Sequence, residues 1–150
     1  MEKNNVPLVV GYRHTGIIVK DMEKSLHFYR DILGLTVIQD YCDDSPFINK
    51  ITALTGANVH MVKLKAEDGT VTELLEYLNH PTELIQQKII NVGACHICYR
   101  VKNADEAYQK LLSQKISLIS EPELSSEKIG RAFFALDPNG IRIELVEIFE

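Results

Sequence analysis

Apolar and polar positions along the chain fall into two halves with the same order of elements. Residues 9–19 are rich in β-branched side chains and predict a strand. Asp21 then offers a helix cap, Met22, Leu26, Tyr29 and Leu33 recur at helical spacing, and Gly34 supplies a stop. Residues 35–41 predict a second strand, and 59–64 with 71–77 predict a hairpin closed through Glu67-Asp68-Gly69. Between them, residues 43–56 (DDSPFINKITALTG) lack a regular period and leave room for a short helix. The first half therefore reads β-α-β-β-β. A connector follows over 79–92, with a short helix expected after Pro81. The order then restarts with a strand over 94–101 and a helix capped by Asn103 and Glu106, carrying Ala107, Leu111 and Leu112. A strand over 116–119 comes next, then a hairpin of 131–136 and 141–148 across Asp137-Pro138-Asn139-Gly140.

The repeat also places polar residues in register. His14 opens HTGIIVKDMEKS and His96 opens HICYRVKNADEA, each with a lysine six residues on, Lys20 and Lys102. Gly69 precedes Glu73 by four residues, as Gly140 precedes Glu144. Core packing accounts for repeated apolar residues but not for this pairing. Strand alternation puts Tyr12, His14, Gly16 and Ile18 on one face, and Val71, Glu73, Leu75 and Tyr77 on another. Ala94, His96, Cys98 and Arg100 mirror the first set, and Arg142, Glu144, Val146 and Ile148 the second. If each half curls into a half-barrel, His14, Glu73, His96 and Glu144 converge on one concave surface. Neutral imidazole and carboxylate suit one divalent ion from among Zn, Ni, Co, Fe and Mn, with positions left for water or substrate oxygens.

Each residue also has a plainer reading. A single strand histidine is ordinarily a satisfied polar residue; the matched placement is what favours ligation. A glutamate at the centre of an apolar strand needs a partner to offset desolvation. Glu76 has the opposite parity to Glu73 and is expected to face solvent or a second copy. Cys95 points away from His96, and no second cysteine pair completes a zinc finger; Cys98 reads as a small core filler. Arg100 takes the place of Ile18 in the repeat and either clamps a substrate carboxylate or phosphate or reaches solvent. His60 and Tyr77 are minor pocket candidates, and His27 and His80 read as surface residues.

A length of 150 residues suits a single domain, 1–150, of two half-domains sharing one core: module one over 9–78 and module two over 92–149. The net charge of -5 gives no basic footprint for nucleic acid. No segment approaches a membrane span. Three cysteines, an odd number, with no secretory pattern in MEKNNVPLVV lead to an expectation of free thiols in the cytoplasm.

The run from His14 through Val19 and Asp21 to FYRDILGL, together with DPNGIRIEL near the end, resembles the vicinal oxygen chelate superfamily. That group includes glyoxalase I, methylmalonyl-CoA epimerase, extradiol dioxygenases, fosfomycin resistance proteins and bleomycin-binding proteins. The resemblance spans about 12–147 and weakens over 42–58. It implies an α+β fold of two tandem βαβββ modules forming a curved, barrel-like sheet with helices outside. It further implies a metal at His14, Glu73, His96 and Glu144, a small-molecule substrate, and a homodimer. The expected reaction is that of a metal-dependent lyase or isomerase (epimerase-like), passing through an enediolate next to a carbonyl. Glu73 or Glu144 would move the proton, and Arg100 would hold the substrate. The arginine that in glyoxalase I follows the first ligand histidine by four residues is Ile18 here, and Leu75-Glu76-Tyr77 stands where Asn-Trp is usual; both argue against glutathione. ELLEYLNHP is closer to the epimerases, although their additional Gln ligand is not evident, and ITALTGANVHMVKL is similar to cyclitol epimerases. Two alternatives stand beside this: an extradiol-type dioxygenase using His14, His96 and Glu144, and a non-catalytic binding or resistance protein.

Overall fold

The computed structural model describes residues 7–85 and 88–149. Module one contains β1 (Thr15–Ile18), α1 (Met22–Leu26), β2 (Thr36–Asp43), α2 (Pro46–Thr52), β3 (Val59–Lys65) and β4 (Val71–Tyr77). Module two contains β5 (His96–Arg100), α3 (Ala104–Ser113), β6 (Glu123–Leu124), β7 (Gly130–Leu136) and β8 (Arg142–Ile148). The strands form two four-stranded sheets, ordered β1-β4-β3-β2 and β5-β8-β7-β6. In each, the last strand returns to pair in parallel with the first, while the hairpin pairs antiparallel. The expected α+β class and duplicated modules are what the chain adopts, as two sheets without a closed barrel.

Helix α1 starts where the carboxylate of Asp21 accepts the Lys24 N–H at 3.0 Å. After Leu26 the chain widens into a π-helical stretch, His27–Ile32, in which Leu33 N–H reaches back to Phe28 O at 2.9 Å. The wider turn buries Phe28, Tyr29 and Ile32 together and leaves Leu33 only partly buried, so the α-helical spacing predicted the wrong last contact. Gly34 then takes a positive φ of 85°. In the second module Asn103 caps α3, its side chain accepting Glu106 N–H at 2.9 Å. Leu111 is buried there, whereas the predicted Leu112 contact is half exposed.

One continuous apolar cluster joins the modules. It holds Ile17, Val62, Leu64 and Leu74 from the first sheet, Phe133, Ala135, Ile143 and Leu145 from the second, and α1 with the start and end of α3. Polar ties cross the same region. Tyr29 donates its hydroxyl to Asp137 at 2.9 Å, and Asp137 also accepts the backbone N–H groups of Asn139 and Ile141 at 2.8 Å each. Asn139 in turn accepts Lys20 N–H at 3.0 Å and donates to Ser25 Oγ at 3.2 Å. The turn of the second hairpin is thereby fastened to the first module's helix. Thr72 and Tyr99 share a further hydroxyl–hydroxyl bond of 2.6 Å.

Three predicted elements differ. The first strand begins at Thr15, not residue 9, because β4 offers pairing only from Thr72 to Leu75; Leu8, Val9, Val10 and Tyr12 remain exposed. The strand expected over 116–119 reduces to a bridge between Leu118 and Ala135, and the paired edge moves to β6. The connector shows no helix after Pro81 among the described residues; 86 and 87 lie outside them. The short helix foreseen within 43–56 does form, as α2, and Ile48 packs it onto Ala57, Val59 and Met61.

Candidate metal centre

Hairpin register fixes what each candidate ligand meets. Folding the first hairpin pairs Lys63 with Glu73, Met61 with Leu75 and Val59 with Tyr77. Folding the second pairs Phe134 with Glu144 and Ala132 with Val146. The parallel partner of Glu73 is Gly16 and that of Glu144 is Cys98. In both modules, then, a histidine stands two residues before the strand residue that lies opposite the glutamate. The outcome is the same atomic pairing twice: His14 Nε2 lies 3.1 Å from Glu73 Oε2, and His96 Nε2 lies 3.0 Å from Glu144 Oε2.

The structure forms two pairs and does not gather all four residues. Among the described residues, no group of three or more His, Cys, Asp or Glu side chains is close enough to hold an ion. The reason lies in strand parity. Ile17, Leu74, Ile143 and Leu145 point into the core shared by the modules, so Glu73 and Glu144, one residue away, face outward from it. Each pair occupies the open face of its own sheet, and convergence within one chain is not what the structure shows.

The two faces differ in what surrounds the carboxylate. Glu73 is buried, 8% exposed, and Lys63 Nζ lies 3.5 Å from its second oxygen. Lys63 also sits 6.0 Å above the Tyr41 ring. Beyond it, α2 covers the apolar end of this face through Ile48, with Leu75 and Tyr77 packed against the same cluster. In the second module Phe134 replaces the lysine and meets the His96 ring edge-to-face at 5.3 Å. Burial and the neighbouring Glu144 carboxylate push the Cys98 thiol up to about 11. Cys98 is thus an open-face neighbour of Glu144 and not the core filler expected of it.

The remaining candidates separate cleanly. Arg100 shares the face of His96 and borders a cleft of about 620 Å³ between β5 and the β3–β4 turn. Tyr77 lies on the Glu73 face beneath α2. His60 is turned to the opposite face, where Nε2 meets Asp40 at 2.7 Å and Nδ1 lies 3.9 Å from Glu76, so it is no pocket residue. His27 pairs with Asp31 at 3.3 Å and His80 with Asn79 at 3.0 Å, both at the surface as expected. Sequence reading missed Lys63 and Phe134. Both were accessible by folding each hairpin about its Gly turn and asking what falls opposite the glutamate.

The donor set fits a divalent ion. Nitrogen and oxygen donors 3.0–3.1 Å apart match two adjacent ligands at about 2.0–2.2 Å from a common centre. Each pair supplies two donors, fewer than a stable site requires.

The profile of the Glyoxalase/Bleomycin resistance protein/Dioxygenase superfamily matches residues 11–145, nearly the whole chain. The chain belongs to that superfamily. Among its relatives, lactoylglutathione lyase of Schizosaccharomyces pombe is 33% identical over 146 residues, covering 89% of this chain and 46% of that protein. The chain thus spans about half the length of this relative. Mouse mitochondrial methylmalonyl-CoA epimerase is 30% identical, covering 90% of this chain and 70% of that protein. Among solved structures, a glyoxalase family protein from Bacillus cereus superposes with a TM-score of 0.82 at 21% identity, over 100% of this chain and 99% of that one. A fosfomycin resistance protein from Listeria monocytogenes, crystallised with Mn(II) and sulfate, gives 0.63 at 18% identity, over 93% of each chain. The resemblance visible in the sequence is therefore borne out at the level of superfamily and fold, and lyase and epimerase relatives both fall within it. No helix among the described residues is long and apolar enough to cross a membrane.

Proposed function

We propose that this superfamily member is a divalent-metal-dependent lyase or isomerase, epimerase-like, that moves a proton at a carbon next to a carbonyl of a small molecule. The observation carrying this reading is the duplicated His–Glu pair at matched atoms and near-equal distances. We further propose that the two pairs meet across a homodimer, His14 and Glu73 of one copy facing His96 and Glu144 of the other. Two outward-facing half-sites, each short of ligands, support that reading, as do the exposed Leu8, Val9 and Val10. An ion held by these four residues would supply Lewis-acid polarisation of the substrate carbonyl, making the adjacent C–H acidic.

The protein's own residues supply the rest. A carboxylate, Glu73 or Glu144, accepts the proton and returns it; general base catalysis of this kind contributes about 10²–10⁴-fold. Glu73 is the more constrained of the two, with His14 at one carboxylate oxygen and Lys63 at the other on a buried strand. The apolar wall formed by α2, Met61 and Leu75 excludes water from the substrate's carbon skeleton. Arg100 holds an anionic group of the substrate through its planar fork.

The test begins with elemental analysis of protein purified without added metal, for the parent and for His14→Ala and His96→Ala. Each substitution should abolish stoichiometric binding; retention in both places the site elsewhere. Light scattering should give a dimer mass. Incubation of α-hydroxy-ketone and acyl-CoA candidates in D₂O should then show deuterium at the α-carbon, lost in Glu73→Gln or Glu144→Gln with metal retained. Oxygen consumption with ring cleavage and no exchange would overturn the reading in favour of a dioxygenase.

A further inference from the structure

The residue opposite each glutamate is the clearest break in the duplication. In module one a single cross-strand row runs Gln39, Lys63, Glu73, Gly16 over the four strands. The matching row of module two runs Phe134, Glu144, Cys98. A lysine ammonium thus stands where the other module has a phenyl ring, which carries neither charge nor hydrogen-bond donor.

That ammonium is withdrawn from solvent. The Lys63 and Glu73 side chains are 14% and 10% exposed, against 92% and 89% for the Lys102–Glu67 pair. Charges so placed are screened far less than a surface pair. Two supports hold the ammonium, Glu73 Oε1 at 3.5 Å and the Tyr41 ring at 6.0 Å. Tyr41 is itself tied to β3, its hydroxyl donating to Met61 Sδ at 3.7 Å. A buried ion pair seldom stabilises a fold better than apolar residues in its place. Phe134 shows that the apolar solution is available in this architecture, so the reason for Lys63 lies at the site and not in the core.

The two oxygens of Glu73 face different partners. His14 Nε2 lies 3.1 Å from Oε2, and Lys63 Nζ lies 3.5 Å from Oε1. Lys63 belongs to β3 and His14 precedes β1, the two strands that flank β4. A cation gripped together with His14 takes Oε2, while the ammonium stands at Oε1 and repels positive charge there. We propose that Lys63 is a positioning residue of the metal centre: it keeps Oε1 of Glu73 from the ion, so that Glu73 grips through one oxygen and a coordination position stays open for substrate. This rests on the reading of Glu73 as a ligand. Its predicted effect runs against ordinary damage, because removing the lysine tightens binding. An ammonium and a dication roughly 6 Å apart repel enough, even at the dielectric of water, to change affinity about tenfold. A second carboxylate oxygen freed for chelation adds to that figure.

The probe is Zn(II) alone, titrated into the intact chain in competition with a chromophoric chelator, with no substrate or turnover involved. A pH of about 8 keeps ordinary carboxylates and imidazoles deprotonated. Lys63→Met keeps the apolar stem and removes the charge, whereas Lys63→Arg keeps charge and donors. Lys63→Met should bind Zn(II) about tenfold or more tightly than the parent and release it correspondingly more slowly to excess EDTA, while Lys63→Arg stays within about threefold of the parent. A purely structural role gives the opposite sign, since a loosened site binds less well. Urea unfolding of each variant reports on the fold, and Lys63→Gln makes the same comparison if Lys63→Met does not fold. Unchanged or weaker affinity in the folded, uncharged variant, or a Lys63→Arg as tight as it, overturns the proposal. Failure of the parent to bind Zn(II) overturns the ligand assignment as well. Parental binding that His14→Ala abolishes and Lys63→Met leaves unchanged overturns this proposal alone.

Discussion

Replacing Asp137 by alanine tests the tie between the modules. The residue is 5% exposed and its carboxylate accepts the Tyr29 hydroxyl, the Asn139 side-chain amide and the N–H groups of Asn139 and Ile141. Hydrogen bonds to a charged acceptor contribute about 1.5–3 kcal/mol, and a buried donor left without a partner costs about 1–3 kcal/mol. The turn N–H groups are part-buried and can recover some hydration, but the Tyr29 hydroxyl, on a fully buried side chain, cannot. The expected loss is therefore about 3–4 kcal/mol, near the top of the range for single substitutions. For a chain of this size that lowers Tm by roughly 6–16 °C. Tyr29→Phe alone removes one donor and leaves Asp137 three others, so its cost should be about 1–1.5 kcal/mol. The informative species is the double variant. If the orphaned hydroxyl is a main part of the penalty, adding Tyr29→Phe to Asp137→Ala restores stability in urea unfolding. A double variant less stable than Asp137→Ala by the full Tyr29→Phe cost, or an Asp137→Ala loss below about 1 kcal/mol, would refute the reasoning.

Gly130→Ala should destabilise without touching either His–Glu pair. A Cβ at this buried strand position runs into the backbone carbonyl of Glu147, which has no flexible end to yield, so a loss of about 1–3 kcal/mol in urea unfolding is expected. An unchanged midpoint would show that β7 and β8 can separate locally. Acid stability follows from exposed carboxylates. Asp31 is lowered to about 2, chiefly by the hydrogen bond from Arg30, and Asp21 is lowered by the Lys24 N–H it caps. Folded values below unfolded ones add stability above the unfolded pKa, so unfolding free energy should fall as pH drops from about 4 towards 2. A flat or rising profile over that window counts against the assignment.

Much of the fold was legible because the sequence states its turns. Gly34, Gly69 and Gly140 each hold a positive φ where a helix or hairpin must reverse, and Asp21 and Asn103 cap the helices predicted for them. The ends of strands were not legible, since pairing length is set by the partner. Residues 9–14 have strand composition, yet β4 leaves them nothing to pair with beyond Thr15. The π-helical turn was hidden for a similar reason: it is a choice made by packing Phe28 and Tyr29 against the core, not by local propensity. In the candidate site, parity grouped the residues of each strand by face and did not foresee that each histidine meets the glutamate of its own module. It carried no information on whether two sheets face each other, because the relative placement of modules is fixed by contacts such as Tyr29 with Asp137.

Strand order has a consequence for how each His–Glu pair opens. Glu73 and Glu144 sit on interior strands, β4 and β8, bonded on both sides, whereas His14 precedes and His96 begins an edge strand bonded on one. Local opening draws on the least supported backbone first. Fraying of a short edge strand therefore swings an imidazole aside while the carboxylate stays where the hairpin holds it. Each pair is a fixed jaw and a hinged one, and exchange of whatever the pair grips can run at the rate of edge fraying without unfolding either module.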